Sequence, residues 1–493
     1  MNSSVSAGPV LQSLRRRCLE EWDYAALGVA VIASRIVLYA LGLRFRLVLD
    51  WMFLADPADL RDHLFETIRY FHAFPPGMNM LTGVLLKLAP EHVAGLAHGL
   101  FLACGLLMAE SLLYLMRAVG IPRGWALGSA FAFSLLPATL YFENLYLYDY
   151  PVPALLTFAA VLFHRALVRR AFVPWLAFFS VLAILGFMRS ALHLVWFTAI
   201  LCFALLIARD ARRICMAAAG PALLLLALYA KNLIIFGVFD SQSQSGGNAI
   251  LITTYHMPRQ LRKQWIAEGK LSPFADLGFS APPRSFLPYL GSPQSERWPQ
   301  HQLSELDRPS VGSPNYNHWF FLEANRRRRD DAMYYLRERP REYLMTVWRK
   351  SLPQAFGPTT LWHPQRGTPG SPHHGHRQLL GGYEDAFNRI VHNTILPPVG
   401  FYVLLPLFIA WIAWRGWPLV RSASDDERAI GGLWYFSLLQ ISYLVAVIAL
   451  LTWGENARYR YIIEPFIWLV VTKTLLDAAK ALKRGGLAKG RAE

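Results

Sequence analysis

Long apolar runs recur along this chain, and they constrain its fold more than any other feature. Stretches of roughly 15 to 25 residues, rich in Leu, Ala and Phe, match the ~20 residues that a helix needs to cross the ~30 Å hydrocarbon core of a bilayer. Hydrophobic residues make up 54% of the 493 residues, more than a soluble enzyme of several domains carries. Because backbone polar groups in lipid must bond within their own segment, such runs must be helices.

Basic clusters between the apolar runs set the predicted topology. The net charge of +16 is spread over short Lys/Arg turns, which is typical of cytoplasmic turns and predicts no nucleic-acid partner. Arg15-Arg16-Arg17 indicates an uncleaved anchor with its N-terminus in the cytoplasm. From this start the chain threads through ten predicted spans, namely 24–43, 92–116, 124–141, 151–167, 173–188, 194–208, 214–236, 397–414, 430–452 and 461–480.

The predicted fold is an all-α polytopic membrane protein with about ten transmembrane helices, juxtamembrane helices and a mixed extracytoplasmic loop domain. Its parts are a cytoplasmic N-terminus (1–23), an N-terminal membrane module (24–236) with a first outer loop (44–91), the loop domain (237–396), a C-terminal membrane module (397–480) and a cytoplasmic tail (481–493). The loop domain carries 19 Lys/Arg against 13 Asp/Glu, so 19 − 13 = +6. That charge suits an anionic substrate, or it is a solvated basic face. Its longest helix should break near Pro340.

Acidic side chains follow the first predicted span at its outer end. Asp50 and Asp56 lie near Trp51 and Phe53, where partial desolvation is expected. A carboxylate at the membrane edge is costly unless it is used, and it can act as a general base toward an acceptor hydroxyl. We therefore place the chemistry here. Two further acids fit the water-facing side of a helix over 56–71, namely Asp59 and Asp62.

Two more candidates lie on the outer loops. Glu143 lies among tyrosines between two spans, a pattern found in sugar-binding platforms and in interfacial aromatic belts. His72 precedes the rigid Pro75-Pro76 pair, which limits where its side chain points. It is either a substrate ligand or a buried, hydrogen-bonded loop histidine. The prolines also begin an apolar helix, 78–88, that is too short to cross the membrane.

Two outer basic clusters predict a phosphate site. Arg189 and His193 are one helical turn apart and share a face. Arg458 and Arg460 follow Glu455 just before the last span. Guanidinium groups hold a phosphate through two parallel hydrogen bonds and stabilise it as a leaving group. The alternatives are snorkelling arginines and a network of ion pairs that anchors the interface.

Neither a metal site nor a cofactor is predicted. A histidine-rich run lies in a Pro/Gly-rich loop without supporting acids, which is not the spacing of a zinc site; its members are His363, His373, His374 and His376. The chain has no phosphate-cradling glycine loop, nucleophile elbow or HExxH motif. Its four cysteines lie in or beside predicted spans, so no disulfide framework is expected.

Five motifs follow one another along the chain: an acid just past the first span, HxxPPG from His72, FEN around Glu143, RSxxHxxW from Arg189 and GENxRYRxxxEP from Gly454. This series resembles the C-type (GT-C) polytopic membrane glycosyltransferases, and in particular the bacterial relatives of the dolichyl-phosphate-mannose protein mannosyltransferases (glycosyltransferase family 39). The resemblance covers the two membrane modules, and 237–396 matches only loosely.

The resemblance implies an inverting enzyme that moves one sugar from a polyprenyl phosphate to a glycan, lipid or protein acceptor on the extracytoplasmic face of the bacterial inner membrane. It implies a first-loop base, for which spacing narrowly favours Asp56, although this chain lacks the paired Asp-Glu of many members. It also implies Glu143 as a second-loop acid, with Arg189, Arg458 and Arg460 near the lipid phosphate. Related oligosaccharyl enzymes use a divalent cation, but no motif here supports one. A lipid-linked sugar flippase or transporter and a non-catalytic envelope assembly protein remain alternatives.

Overall fold

The computed structural model describes residues 9–357, 374–391 and 398–489. Parts of the predicted termini, loop domain and eighth span therefore lie outside the described residues. The α-helices, in chain order, are α1 (Pro9–Ala40), α2 (Pro57–Asp62), α3 (Leu64–Tyr70), α4 (Gly77–Leu88), α5 (Val93–Ala118), α6 (Arg123–Ser134), α7 (Pro137–Glu143), α8 (Pro151–Arg169), α9 (Phe172–Met188), α10 (Leu194–Ile207), α11 (Ala211–Phe236), α12 (Ser245–Ile252), α13 (Arg259–Ala267), α14 (Leu287–Leu290), α15 (His301–Ser304), α16 (Phe320–Glu338), α17 (Pro340–Thr346), α18 (Leu352–Ala355), α19 (His374–Asn388), α20 (Pro398–Arg421), α21 (Asp425–Leu451), α22 (Asn456–Arg460) and α23 (Glu464–Lys489).

The chain is an all-α protein with several helices long and apolar enough to cross a membrane. Within the described ranges these are Glu21–Ala40 of α1 together with α5, α8, α11 and α21, which makes five. The bent pair of α6 and α7 would make a sixth. Helices α9 and α10 are apolar but shorter, with 17 and 14 residues. The all-α membrane class is confirmed, with five or six candidate spans.

The predicted span 124–141 is broken rather than continuous. Helix α6 ends at Ser134, and α7 begins at Pro137 after a bend of 57°. Leu136 has extended backbone angles of −56° and 141°, because a proline disfavours helical geometry in the residue before it. The bend places Glu143, the last residue of α7, in a buried position.

Helix α8 lies at the centre of the packing, between α5, α9 and α21. The ring of its fully buried Phe163 lies close to four others, with centroid distances of 5.8 Å to Trp175, 5.3 Å to Phe178, 5.6 Å to Phe203 and 5.2 Å to Phe436. Aromatic pairs at such distances contribute ~0.5–1.5 kcal/mol beyond their buried area. This packing fixes the loop that enters α8 relative to the residue that follows α9, and both belong to the candidate site below.

The region 237–396 is mainly helical where it is described. Its helices are α12 to α19, of which α16 is the longest with 19 residues. Its strands are one antiparallel pair of two residues each, β1 (Asp307–Arg308) and β2 (Ser313–Pro314). Helix α16 ends at Glu338 and α17 begins at Pro340, which agrees with the predicted break. The described residues do not confirm a mixed α and β domain.

Gly105 lies in α5 where that helix passes Glu143 and Tyr150. A Cβ atom at this position would lie 2.5 Å from both Glu143 Oε2 and the Tyr150 hydroxyl. We expect Gly105→Ala to destabilise the protein by ~1–3 kcal/mol, because overpacking forces the neighbours to shift. Thermal unfolding of the purified protein in detergent measures this effect. Gly99→Ala is the matched control in α5, with no atom within 4 Å of its Cβ, and equal melting temperatures for the two variants would contradict the packing.

Candidate functional site

Two loops meet at the end of the helices where α1 and α7 terminate. The Arg46 N–H donates to the Asn144 carbonyl, and the Tyr146 N–H donates to the Arg46 carbonyl, both at 2.9 Å. Trp51 Nε1 donates to the Tyr146 carbonyl at 3.1 Å. These hydrogen bonds hold the loop that follows α1 against the loop between α7 and α8.

Six side chains from three parts of the chain meet beside these loops. We call them the arginine–tyrosine cluster, and its members are Tyr148, Asp149, Arg189, Glu455, Arg458 and Tyr459. The buried Arg458 lies at the centre. Its Nε lies 3.1 Å from Asp149 Oδ2, and its Nη1 lies 3.1 Å from Glu455 Oε2. Its Nη2 donates to the Tyr148 hydroxyl at 2.8 Å. Two carboxylates and a phenol therefore fix one guanidinium.

Arg189 lies in the same cluster but is held differently. Its guanidinium carbon is 4.4 Å from the ring centroid of Tyr148 and 4.1 Å from that of Tyr459. Cation–π contacts of this kind contribute ~0.5–2 kcal/mol. Arg189 is only 7% exposed, yet its guanidinium makes no hydrogen bond or ion pair with any residue that the structure describes. Its N–H donors are therefore open to an anion.

The two carboxylates of the cluster pair with only one of its two arginines. Burial alone would lower the pKa of Arg458, but Asp149 and Glu455 raise it well above its usual value, so this guanidinium stays charged. Both carboxylates contact Arg458. Arg189 is thus the cation of the cluster without a paired carboxylate.

The two candidate bases in the first outer loop have different surroundings. Asp56 caps α2: its Oδ1 accepts the Ala58 N–H at 2.8 Å and the Ser310 hydroxyl at 2.7 Å. Its Oδ2 accepts the Ser310 N–H at 2.9 Å, and the residue is buried. Asp50 is exposed, and its carboxylate makes no hydrogen bond or ion pair with the described residues. Asp56 holds a loop in place, whereas Asp50 has both oxygens available.

Arg308 fixes the backbone on which Asp50 lies. This buried arginine donates through Nη1 to the Trp51 carbonyl at 3.0 Å and through Nη2 to the Asp50 carbonyl at 2.6 Å. The rings of Trp51 and Phe53 stack at 5.9 Å, and the Phe53 ring lies 4.8 Å from that of Tyr148. A wall of three aromatic rings therefore runs from the Asp50 loop to the arginine–tyrosine cluster.

Glu143 lies in an apolar groove between α1 and α5 rather than in this cluster. The groove encloses about 570 Å³. Arg35 donates to the two Glu143 oxygens, through Nε at 2.8 Å and Nη2 at 2.9 Å, and the Tyr150 hydroxyl donates to Oε2 at 2.6 Å. The carboxylate is neutralised by a cation from α1, an arrangement that fits a structural ion pair.

His72 joins the first outer loop to the segment that follows α11. Its Nδ1 lies 2.7 Å from the Ser243 hydroxyl, and its carbonyl accepts the Ser243 N–H at 2.7 Å. Its own N–H donates to Asn317 Oδ1 at 2.8 Å. Burial, together with the Lys231 ammonium, lowers the pKa of His72 to about 3. The imidazole is therefore neutral and anchors backbone.

His193 and Arg460 also hold backbone. His193 caps α10, since its Nδ1 accepts the Val195 N–H at 3.1 Å. Arg460 donates through Nη1 to the carbonyls of Ala355 and Gly357, at 3.0 and 2.8 Å. His193 and Arg460 therefore bind backbone groups, whereas their sequence neighbours Arg189 and Arg458 belong to the arginine–tyrosine cluster.

Sequence reasoning did not select several residues that build the site. Tyr148 and Asp149 lie in the same tyrosine-rich run as Glu143, but the pattern does not show which acid meets a distant arginine. Arg35 is an arginine within a predicted span, which is itself a signal of a buried partner. Arg308 has no sequence signal, because its ligands are backbone carbonyls far away in the chain.

No group of three or more His, Cys, Asp or Glu is arranged to hold a metal ion within the described ranges. In the histidine-rich run, His363 and His373 lie outside the described residues, and so do the side chains of His374 and His376.

Comparison with known proteins adds no relative. The chain matches no protein-family model, and no curated protein and no solved structure matches it significantly. The fold and the site define a class on their own: an all-α membrane protein with a largely buried arginine–tyrosine cluster at one end of its helices. The resemblance to C-type glycosyltransferases stays a prediction.

The Arg35 and Glu143 pair allows a test of its structural role. Arg35→Met should destabilise the protein by ~3–5 kcal/mol, because it leaves Glu143 buried and charged without its cation. Arg35→Met combined with Glu143→Gln should recover most of the loss, since glutamine can still accept the Tyr150 hydrogen bond. Thermal unfolding in detergent compares the variants. A silent Arg35→Met would mean that the pair does not hold α1.

His72 should make the folded state sensitive to acid. The unfolded state binds more protons than the folded state between the ordinary pKa of 6.5 and the folded pKa of about 3. Stability therefore falls as pH drops through this window, by at most ~1.4 kcal/mol per pH unit. We expect a smaller loss of melting temperature from about pH 7 to about pH 5 in His72→Asn, which keeps an amide near Nδ1 but does not titrate. Identical losses in parent and variant would refute a role for His72 in this sensitivity.

Proposed function

We propose that this protein transfers a sugar from a polyprenyl-phosphate donor to a glycan, lipid or protein acceptor on the extracytoplasmic face of the bacterial inner membrane. The observation that carries the proposal is the Arg189 guanidinium, which lies over two tyrosine rings and has no hydrogen-bonding partner among the described residues. A cation buried in this way is costly unless an anion binds it. The phosphate of a membrane lipid is such an anion.

The proposed sidedness follows from the two ends of α9. Arg170 precedes this helix and Arg189 follows it, so the basic turn and the arginine–tyrosine cluster lie at opposite ends. Lys/Arg-rich turns prefer the cytoplasm, which supports an extracytoplasmic position for the cluster. In this threading α9, α10, α20 and α23 complete the ten spans, and 237–396 forms the mixed loop domain on the outer face.

The proposed reaction is an inverting displacement. The acceptor hydroxyl gives its proton to a carboxylate, and its oxygen attacks the anomeric carbon from the side opposite the phosphate. The bond between that carbon and the phosphate oxygen breaks, and polyprenyl phosphate leaves with the bonding electrons. Arg189 stabilises the charge that develops on the phosphate, and Arg458 keeps the Tyr148 ring in place beneath it.

Asp50 is the base that the geometry favours. A general base needs a free lone pair within reach of the acceptor hydroxyl. The oxygens of Asp56 already accept three hydrogen bonds from Ala58 and Ser310. Asp50 has no such bonds, and the aromatic wall joins its loop to the phosphate site. Sequence spacing favours Asp56, and the contacts with Ser310 reverse that preference.

The experiment is a transfer assay with purified protein in lipid, a panel of radiolabelled polyprenyl-phosphate sugars and native membrane extract as acceptor source. We expect Asp50→Asn to lower transfer by roughly 10²–10⁴-fold with donor binding retained. Arg189→Gln should lower transfer by roughly 10²–10³-fold and weaken donor binding. Asp56→Asn should lower thermal stability, because its amide N–H₂ would face the Ser310 donors, with transfer per folded molecule preserved.

Asp62→Asn is the matched control. Asp62 is an exposed acid of the same loop that pairs with Arg61, so its transfer should equal that of the parent. Transfer unaffected by Asp50→Asn would remove Asp50 as base. Donor binding without transfer by the parent, for every donor tried, would favour a lipid-linked sugar transporter instead.

A further inference from the structure

A second basic site lies at the opposite end of the helices, away from the arginine–tyrosine cluster. There the turns between α8 and α9, between α10 and α11, and between α20 and α21 enclose a cavity of about 360 Å³. This volume falls within the ~300–1,000 Å³ of small-ligand sites. The charged side chains that line it are Arg170, Arg209, Arg213, Arg428, Asp210 and Asp425.

The cavity carries an excess of positive charge. Asp425 pairs with Arg170 and Arg428. Asp210 pairs with Arg213 at 3.1 Å. Arg209 makes no hydrogen bond or ion pair with the described part of the chain. Four arginines against two aspartates leave 4 − 2 = +2. An anion is therefore the ligand that the lining favours.

The backbone of Arg170 supports a ligand-related role for its side chain. Arg170 caps α8 with φ 49° and ψ 31°, in the left-handed region. It is the only non-glycine residue with a positive φ in the ranges that the structure describes. Glycine or asparagine is usual at such a helix end. An arginine is unfavourable there for the backbone alone, and its side chain reaches across to Asp425 on the edge of the cavity.

The walls of the cavity and its position indicate the source of the anion. Leu167, Trp175 and Ile207 form an apolar side. Helices α8, α11 and α21 are three of the five candidate spans, so the cavity lies where their ends meet the bilayer surface. Anionic phospholipid headgroups occupy that level of the cytoplasmic leaflet.

We infer that this cavity binds the headgroup of an anionic phospholipid. Its phosphate lies against Arg209 and Arg213, and the start of its acyl chains packs on the apolar side formed by Leu167 and Trp175. The bound lipid links the ends of α8, α11 and α21. This site does not depend on sugar transfer, since it lies at the other end of α9 from Arg189.

The test compares thermal unfolding in nanodiscs of phosphatidylcholine alone and in nanodiscs that also contain phosphatidylglycerol. A ligand that binds only the folded state raises the melting temperature, and we expect a gain of about 2–4 °C for the parent. The double variant Arg209→Gln with Arg213→Gln should lose most of this gain. Its melting temperature in phosphatidylcholine should match the parent, because neither arginine is buried and exposed ion pairs contribute little.

Arg170→Gly separates lipid binding from a purely structural role. Glycine suits the left-handed backbone, so melting in phosphatidylcholine should be unchanged or higher than in the parent. The gain from phosphatidylglycerol should fall at the same time. A structural role for the Arg170 side chain predicts instead a lower melting temperature in both lipids, with the gain retained.

Arg212→Gln is the matched control, since Arg212 is an exposed arginine in the first turn of α11 that does not line the cavity. It should keep the full gain. If this control and the double variant lose equal parts of the melting-temperature gain, the anionic lipid is attracted to the basic surface in general, and the proposed site is wrong. If inorganic phosphate gives the same gain in melting temperature in phosphatidylcholine nanodiscs, the cavity binds a free anion, and the proposed lipid site is wrong. The lipid site is also wrong if phosphatidylglycerol does not raise the melting temperature of the parent.

Discussion

The ion pair between Arg458 and Asp149 is the interaction on which the candidate site depends. It joins the short helix before α23 to the loop between α7 and α8, and it brings the rings of Tyr148 and Tyr459 against the guanidinium of Arg189. A buried pair of this kind adds little net stability, because desolvation offsets most of the attraction. Its effect is positional: it holds two aromatic rings within 4.4 Å of the Arg189 guanidinium carbon.

Elsewhere in the molecule, buried arginines connect segments that are distant in sequence. Arg35 pairs with the carboxylate of Glu143, and Arg308 and Arg460 hold loop carbonyls. In each case protein acceptors take up guanidinium donors, which offsets the cost of burial. Arg189 differs, because aromatic faces surround its charge while its donors stay open within the described structure. That contrast is the basis for the proposal that Arg189 binds a ligand, whereas the other three arginines hold the structure together.

The apolar runs suffice to predict α5, α8, α11 and α21, and the proline pair suffices for α4, because hydrophobic length and proline are local signals. The proline signal for the bend at Pro137 is local too, but the apolar run around it favours one continuous span. The site is less predictable because its contacts are long-range. Asp56 is held by Ser310, which lies 254 residues later, and no local pattern shows which of two neighbouring acids is occupied. The same holds for the pairing of Arg458 with Asp149.

The most direct test of the central claim is the affinity of the purified protein for farnesyl phosphate compared with farnesol, which has the same chain without the phosphate. If Arg189 binds a lipid phosphate, the parent should prefer the phosphate by at least ~10-fold, the equivalent of about one charge-assisted hydrogen bond. Arg189→Gln should bind both compounds with similar, weak affinity. Equal affinities in the parent would contradict the account, because the cluster would then recognise only the hydrocarbon chain.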